Sequence, residues 1–185
     1  MTVAPPRAAH ISPLNLKAWI DRHRADLRPP VGNKTIWKDQ DFIVFVGAGP
    51  NTRNDYHVNP TEEFFYQLQG DIYVKIIEDG KSRNVIIREG EVYLIPAWVP
   101  HSPQRPPNTL GLVIEYRRPE GQKDSLRFYC EGCNALVFEE HFTLTDIDSN
   151  LKRIMESFWG GPPAARSCKH CGKVVEHAKE ARLPA

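Results

Sequence analysis

Short β-prone runs separated by turn residues fill the middle of this chain, and they constrain its fold more than any other feature. Proline, with 16 residues, falls mostly between these runs. Asp79-Gly80 is the strongest hairpin signal, because both residues tolerate the left-handed backbone of a two-residue turn. Since no long helical pattern interrupts the runs, they predict an all-β sandwich or barrel. The predicted strands are 34–38, 41–46, 64–68, 71–78, 84–88, 91–95, 110–116, 126–129 and 136–144.

Two short helices are predicted outside the β-rich region. Asn15 is expected to cap the first of them, and Asp148 or Ser149 the second, which the stretch 160–163 would end. We therefore expect one domain with a small appendage, divided into 1–120, a barrel with its N-terminal helix, and 121–185, a C-terminal extension. The segment before residue 13 is expected to be loosely draped and the tail from His177 frayed.

Composition excludes several classes of partner. Hydrophobic residues make up 41% of the chain, enough for a packed core, and the net charge of +1 predicts neither nucleic acid nor an anionic membrane as partner. No apolar run approaches the roughly 20 residues of a membrane span, and the N-terminus lacks the apolar core of a signal peptide. We therefore expect a cytoplasmic protein.

Two histidines and a carboxylate stand beside predicted strands. His57 and Glu63 precede the aromatic run 64–68, and His101 follows the strand 91–95 and a proline-containing corner. Two imidazoles and one carboxylate from two hairpins can form the facial triad that leaves iron(II) with open positions. From spacing alone Glu62 competes with Glu63, and His101 is equally well explained as a loop histidine with its hydrogen bonds satisfied.

Three further charged residues are candidates for substrate binding. Glu115 lies in the apolar run 110–116, where it either lines a barrel interior or faces outward on the alternate side of a strand. Arg53 precedes His57 by four residues and Arg105 follows His101 by four, so together they suggest a site for an anionic substrate.

All four cysteines lie in the last third of the chain, in two C-x-x-C pairs. A reducing cytoplasm argues against a disulfide framework. Four thiolates at this spacing predict a closed tetrahedral site for zinc or a single iron, with a redox dithiol as the competing interpretation. The proposed ligands are Cys130, Cys133, Cys168 and Cys171.

The segments around the proposed ligands resemble those of a known family. His57, Glu63 and Gly70 match the first cupin motif, and Gly90, Pro96 and His101 match the second. Longer segments resemble 3-hydroxyanthranilate 3,4-dioxygenases, and the cysteine pairs are similar to the rubredoxin-like metal site of their bacterial and fungal members. The resemblance extends from about Trp19 to Cys171, and one departure is Asn54, where threonine is expected. The longer segments are 29–33, 53–57, 63–67 and 100–106.

The resemblance implies a cupin jelly-roll barrel and a set of residue roles. His57, Glu63 and His101 would bind catalytic Fe(II), and the cysteines a second iron or zinc. Arg105 and Glu115 would hold 3-hydroxyanthranilate beside the metal ligand Glu63, and Arg53 would lie near bound dioxygen and the substrate carboxylate. Asn33 and Phe65 match positions near the substrate pocket of the family.

The resemblance also implies ring opening to 2-amino-3-carboxymuconate 6-semialdehyde, the precursor of quinolinate, by a homodimer. Two other hypotheses would also account for these residues. One is a non-catalytic cupin that binds zinc or nickel structurally, and the other is a dioxygenase for a different amino- or hydroxybenzoate.

Overall fold

The computed structural model describes residues 12–27, 32–38 and 40–184. Within these ranges helix α1 spans Leu16–His23 and helix α2 spans Ile147–Gly160, followed by a short 3₁₀ helix at Pro163–Arg166. The strands are β1 (Gly32–Trp37), β2 (Phe42–Ala48), β3 (Asp55–Val58), β4 (Glu63–Gln69), β5 (Ile72–Glu78), β6 (Lys81–Ile87), β7 (Val92–Ile95), β8 (His101–Gln104), β9 (Leu110–Tyr116), β10 (Asp124–Tyr129) and β11 (Leu136–Phe142).

Two antiparallel sheets face each other. One has the strand order β1-β2-β9-β4-β7 and the other the order β11-β10-β3-β8-β5-β6, so the chain passes repeatedly from one sheet to the other. Phe65 and Val113 from the first sheet and Ile72 and Val74 from the second are buried in the shared core. The all-β jelly-roll barrel predicted from the sequence is confirmed.

The hairpin predicted at Asp79-Gly80 joins β5 to β6. Glu78 pairs with Lys81, and both central residues have positive φ, +50° at Asp79 and +72° at Gly80. Such a turn matches the right-handed twist of the two strands, which explains why an Asp-Gly pair stands here.

Helix α1 covers one end of the first sheet. The side chain of Asn15 accepts a hydrogen bond from the backbone N–H of Ala18 at 2.9 Å, so the predicted cap is confirmed. Trp19 and Ile20 pack on Val46 of β2. The predictions for residues 1–11 and for the family-like segment 29–31 lie outside the described residues.

The predicted cap of α2 is wrong. Helix α2 begins at Ile147, which puts both predicted caps, Asp148 and Ser149, inside its first turn. Asp146 is the cap: its backbone is extended, with φ −154°, and its carboxylate accepts from the N–H of Ser149 at 3.1 Å. The sequence offers several capping side chains in succession, and the backbone conformation of Asp146 decides among them.

The second sheet continues beyond residue 120. β10 pairs with β3, and Phe158 of α2 stacks on Phe128 of β10 with ring centroids 3.8 Å apart. The predicted boundary between two parts of the chain at residue 120 stays a prediction. The second sheet, however, contains strands from both sides of that boundary.

The prediction that the segment after His177 is frayed is wrong. Ala181 is buried, and its N–H donates to the carbonyl of Asn51 at 3.2 Å. The Asn54 amide donates to the carbonyl of Glu176 at 2.8 Å, so the loop preceding β3 is tied to the C-terminal segment. None of the helices described here has the length and apolarity needed to cross a membrane.

Candidate active site

The three proposed ligands converge from both sheets. His57 of β3 and His101 of β8 are register partners in the second sheet, whereas Glu63 opens β4 in the first. All three are buried, and one ligand atom from each lies within 4.8 Å of the other two. The barrel therefore brings together residues that are separated by up to 44 positions in the sequence, from 57 to 101.

His101 and Glu63 are arranged for a shared cation. The Nδ1 of His101 lies 2.9 Å from the carbonyl of Val99, which can only accept, so Nδ1 carries a proton and Nε2 faces Glu63. Nε2 and the Glu63 Oε2 atom are 3.1 Å apart, yet Oε2 has no partner with hydrogen-bond geometry in the described part of the chain. Two acceptor atoms this close require a positive charge between them, so this buried pair fits a metal ion.

The pKa shifts of this pair agree with that arrangement. Burial alone would lower the pKa of His101, but the adjacent Glu63 carboxylate outweighs burial and raises it. Burial likewise would raise the pKa of Glu63, and the charge of His101 brings it below its ordinary value. Each group thus favours the charged form of the other, and a metal ion would take the place of the shared proton.

Arg105 is a buried guanidinium without an acidic partner among the described residues. Its side chain lies against Gly47 and Gly111, where an added Cβ would come within 2.9 Å and 2.7 Å of guanidinium nitrogens. The Gln67 Oε1 atom accepts from Nη1 only at 3.5 Å. Burial lowers the pKa of Arg105 to about 10, against the opposing effect of Glu63. A buried, uncompensated cation of this kind is a binding site for an anion.

Arg53 differs from Arg105 in being paired already. Its Nε donates to Asp55 Oδ1 at 3.1 Å and its Nη2 to Oδ2 at 2.5 Å, a two-pronged bond between buried groups. The two arginines, which the sequence treats as equivalent, are therefore not equivalent: Arg105 has charge to offer a substrate, and the charge of Arg53 is largely compensated.

Glu115 faces into the barrel, which excludes the outward orientation left open by the sequence. It is 1% exposed, and its Oε2 is held by Arg118, whereas Oε1 has no hydrogen-bond partner among the described residues. Burial and the charge of Glu63 raise the pKa of Glu115 to about 8, although Arg118 opposes the shift. A carboxylate in this state can accept or release a proton near neutral pH.

A small cavity of about 30 Å³ lies at the centre of these groups. It has room for only a few water molecules, so binding of an aromatic acid requires lining side chains to move. A larger cavity of about 380 Å³, lined by Lys38, Arg117 and Thr143 among others, contains none of the ligands, so we assign the chemistry to the smaller one. The smaller cavity is lined by Asn33, Phe45, Asn51, Arg53, His57, Glu63, Phe65, His101, Pro103, Arg105, Val113, Glu115, Ile147 and Leu151.

The four cysteines form a second cluster, and none of them is in a disulfide. The two C-x-x-C turns have the same backbone hydrogen bonds: Asn134 N–H to Cys130 O and Gly172 N–H to Cys168 O, both at 2.8 Å. Asn134 and Gly172 have positive φ, as this tight turn requires.

The sulfur positions fit a tetrahedral metal site. The Sγ atoms of Cys130 and Cys171 are 3.5 Å apart and those of Cys133 and Cys168 are 3.6 Å apart. Thiolates around a metal at ~2.3 Å would be ~3.8 Å apart. The Gly132 N–H donates to Cys130 Sγ at 3.3 Å and lowers the pKa of that thiol to about 7.

Sequence reasoning missed two residues at the site: Asp124, which is buried, and Arg118, whose side chain is 6% exposed. Asp124 Oδ2 lies 2.7 Å from the Nε2 of His57, and Arg118 binds both Asp124 and Glu115. Arg118 stands in a polar stretch after β9 that is typical of a surface loop, and no pattern in the sequence marks it as buried. Ile147 and Leu151 also line the cavity, and neither was among the predicted site residues.

Comparison with known proteins gives consistent matches. The family model for 3-hydroxyanthranilic acid dioxygenase matches residues 9–159. A 3-hydroxyanthranilate 3,4-dioxygenase of Ruegeria pomeroyi is 46% identical over 167 residues, which cover 90% of this chain and 92% of the relative. One from Mycosarcoma maydis is 45% identical over 180 residues, covering 94% and 97%. Among solved structures, a cupin-2 domain protein from Shewanella frigidimarina has a TM-score of 0.44 and 20% identity, covering 54% of this chain and 92% of that one.

Proposed function

This chain belongs to the 3-hydroxyanthranilic acid dioxygenase family, and we propose that His57, Glu63 and His101 hold its catalytic metal as iron(II). The enzyme converts 3-hydroxyanthranilate and O₂ to 2-amino-3-carboxymuconate 6-semialdehyde, from which quinolinate, a precursor of NAD, forms. The observation that carries the assignment of the metal site is the convergence of two imidazoles and one carboxylate from two facing sheets.

The donor set fits iron(II) because imidazole and carboxylate together suit that ion, and because three protein ligands leave other positions open. When bound, the iron would supply the open positions and the redox chemistry that bring dioxygen and an electron-rich ring together. The protein's own residues then have to bind the substrate, orient it, take up its proton and exclude water.

We assign the substrate carboxylate to Arg105. Its guanidinium is buried without an acidic partner in the described residues, and a carboxylate can accept two parallel N–H bonds from it. Arg53 also lines the cavity, but Asp55 compensates its charge and fixes its orientation. We therefore infer that Arg53 lies on the dioxygen side of the site and that Arg105 is the main carboxylate-binding residue.

Glu115 is placed to accept the proton of the ring hydroxyl. Its free oxygen, Oε1, belongs to a carboxylate whose other oxygen is held by Arg118, so the proton would go to Oε1. Phe65, Ile147 and Leu151 line the same cavity as apolar walls, where they would contact the ring and exclude water. Asn33, on β1, adds a polar group at the edge of the cavity.

Anaerobic loading with different metals tests the assignment. Protein loaded with Fe(II) should consume O₂ on addition of 3-hydroxyanthranilate, while protein loaded with zinc or nickel should not. Comparison with 2-aminophenol and gentisate separates the proposed substrate from related ring compounds. Turnover that does not depend on iron, or faster cleavage of another ring compound, would contradict the proposal.

We propose that the enzyme is a homodimer joined through the outer face of its first sheet. Large apolar side chains are exposed on this face, among them Val92 at 59% and Leu94 at 52%. Phe42, Tyr66 and Tyr116 are also exposed on the strands β2, β4 and β9 of that sheet. A contiguous apolar face of this kind is typical of a subunit interface.

Replacing Leu94 with glutamate should convert the dimer to a monomer, because a charge would be buried in the apolar contact. Light scattering after size exclusion should give twice the chain mass of 21.1 kDa for the original protein and the chain mass for Leu94→Glu. Ile86→Glu, at a 40% exposed position on β6 of the other sheet, is the matched control and should remain dimeric. A monomeric original protein would refute the proposal.

We propose that the four cysteines hold a structural iron or zinc, and that the enzyme works in the reducing cytoplasm, where their thiols persist. The support is the closed tetrahedral arrangement, which provides no position for a substrate. The cluster also ties the β10–β11 turn to the segment after α2.

Cys130→Ser should therefore reduce stability more than catalysis. Loss of the second metal is expected to lower the melting temperature by about 5–15 °C, as a stability loss of a few kcal/mol does in a chain of this size. Turnover per catalytic iron should stay within about threefold of the original value. A well-folded Cys130→Ser protein without any activity would show that the cysteine site takes part in catalysis.

A further inference from the structure

We propose that Asp124 and Arg118 are positioning residues, which fix the metal-binding His57 and the substrate-facing Glu115 through one buried network. The proposal rests on the function assigned above and extends it to two residues that touch neither metal nor substrate. The two ends of the network, His57 and Glu115, lie on different sheets of the barrel.

Asp124 is placed to set the tautomer of His57. It is the first residue of β10, is completely buried, and lies two positions before Leu126, the register partner of His57 on β3. Its Oδ2 atom is 2.7 Å from the Nε2 of His57. An ionised carboxylate can only accept, so the imidazole proton is held on Nε2 and the lone pair of Nδ1 is left for a metal.

Arg118 connects Asp124 to Glu115. Its Nε and Nη2 atoms donate to the two oxygens of Asp124, each at 2.7 Å, and Nη2 also donates to Glu115 Oε2. Its Nη1 atom donates to the carbonyl of Tyr116 at 2.7 Å and to the hydroxyl of Thr61 at 3.0 Å. Every nitrogen of the guanidinium therefore has a partner.

This arrangement keeps two carboxylates buried close to a third, Glu63. Without the charge of Arg118, Asp124 and Glu115 would repel each other and would turn away from their present positions. Only a planar fork can bind both with fixed directions, and lysine offers a single point charge instead. The same arginine thus leaves Oε1 of Glu115 without a hydrogen bond and holds both oxygens of Asp124 in place behind His57.

The positioning role can be measured without any turnover. In protein whose cysteine site has first been filled with zinc, Co(II) is titrated anaerobically into the His57, Glu63 and His101 site and followed by its visible absorption. The absence of intense thiolate-to-cobalt bands verifies that zinc stays in the cysteine site. Asp124→Asn should weaken Co(II) binding by about 10–100-fold, the usual effect of losing the group that orients a ligating histidine.

Two further variants separate positioning from folding. Asp124→Glu restores an ionised acceptor and should recover part of the affinity for Co(II). Glu139→Gln is the matched control, because Glu139 forms the neighbouring pair with Arg127 at 2.7 Å between β11 and β10, away from the metal ligands. It should bind Co(II) like the original protein.

Arg118→Lys should act mainly on catalysis. With the fork lost, Glu115 is no longer oriented, so kcat per bound iron should fall about tenfold or more, with a smaller change in KM. Unaltered Co(II) affinity in both Asp124 variants, together with unaltered kcat in Arg118→Lys, would overturn the proposal. If the original protein bound Co(II) at this site but did not cleave 3-hydroxyanthranilate, the assigned function would fail and the Co(II) result would still decide the role of Asp124.

Discussion

His57→Ala is expected to abolish ring cleavage and to remove one metal ion per chain. His57 supplies one of only two imidazoles among the three proposed ligands, so its removal leaves one imidazole and one carboxylate to hold the metal. We expect turnover to fall at least about a thousandfold, beyond the 10–100-fold typical of changes behind the ligands. Oxygen uptake with 3-hydroxyanthranilate measures the activity, and elemental analysis of the same sample measures the metal.

The metal count makes this prediction specific. The cysteine cluster lies apart from the barrel ligands, so His57→Ala should keep the metal bound there and lose only the other. His141→Ala is the matched control, because His141 lies on β11 of the same sheet with an exposed side chain. It should keep both metals and full activity. A His57→Ala protein with two metals and normal turnover would remove this histidine from the catalytic site.

Strand ends and turns mark the candidate ligand positions locally, but spacing alone left Glu62 competing with Glu63 and His101 equally well explained as a loop histidine, and the family resemblance selected the three. His57, Glu63 and His101 each stand beside a β-run, and a barrel brings such positions to a common interior. Asp124 and Arg118 could not be found in the same way. The burial of Asp124 follows from the pairing of β10 with β3, which brings Asp124 to His57 across 67 positions of the sequence. Arg118 is then held by Asp124, and no local pattern encodes either contact.

The same limit explains why the sequence does not distinguish the two arginines and why the segment after His177 was wrongly predicted to be frayed. Arg53 and Arg105 look alike in the sequence, and only the contact with Asp55 distinguishes them. The segment after His177 has the composition of a free tail, but the N–H of Ala181 donates a hydrogen bond to the carbonyl of the distant Asn51. Local propensity predicts which strands form, whereas long-range contacts decide which charges remain available.

Arg105→Met is expected to lower kcat/KM for 3-hydroxyanthranilate by about a hundredfold or more. Methionine keeps much of the buried volume and removes the charge, so the substrate carboxylate would lose two charge-assisted hydrogen bonds of roughly 1.5–3 kcal/mol each. Since about 1.4 kcal/mol corresponds to a tenfold change, the loss of even the weaker pair exceeds a hundredfold. Steady-state oxygen uptake over a range of substrate concentrations gives kcat and KM separately, and most of the effect should be in KM.

Gly47→Ala tests the position of the same guanidinium without removing it. A Cβ on Gly47 would lie 2.9 Å from the Nε and 3.0 Å from the Cζ of Arg105, so the side chain has to shift. We expect KM to rise about tenfold, a smaller effect than that of Arg105→Met, because the charge remains in the site. Gly160→Ala is the control, since its Cβ would have no neighbour within 4 Å, and it should leave KM unchanged.

A substrate without a carboxylate distinguishes anion binding from damage to the site. 2-Aminophenol has the adjacent amino and hydroxyl groups but nothing for Arg105 to bind, so Arg105→Met should alter its turnover, or its binding as a competitor, by less than about threefold. The original protein should in turn prefer 3-hydroxyanthranilate by the same factor of about a hundred that the mutation removes, because both changes delete one interaction from opposite sides. If Arg105→Met weakened the two compounds equally, the arginine would act on the structure of the cavity, and the carboxylate would have to be bound by Arg53 after release from Asp55.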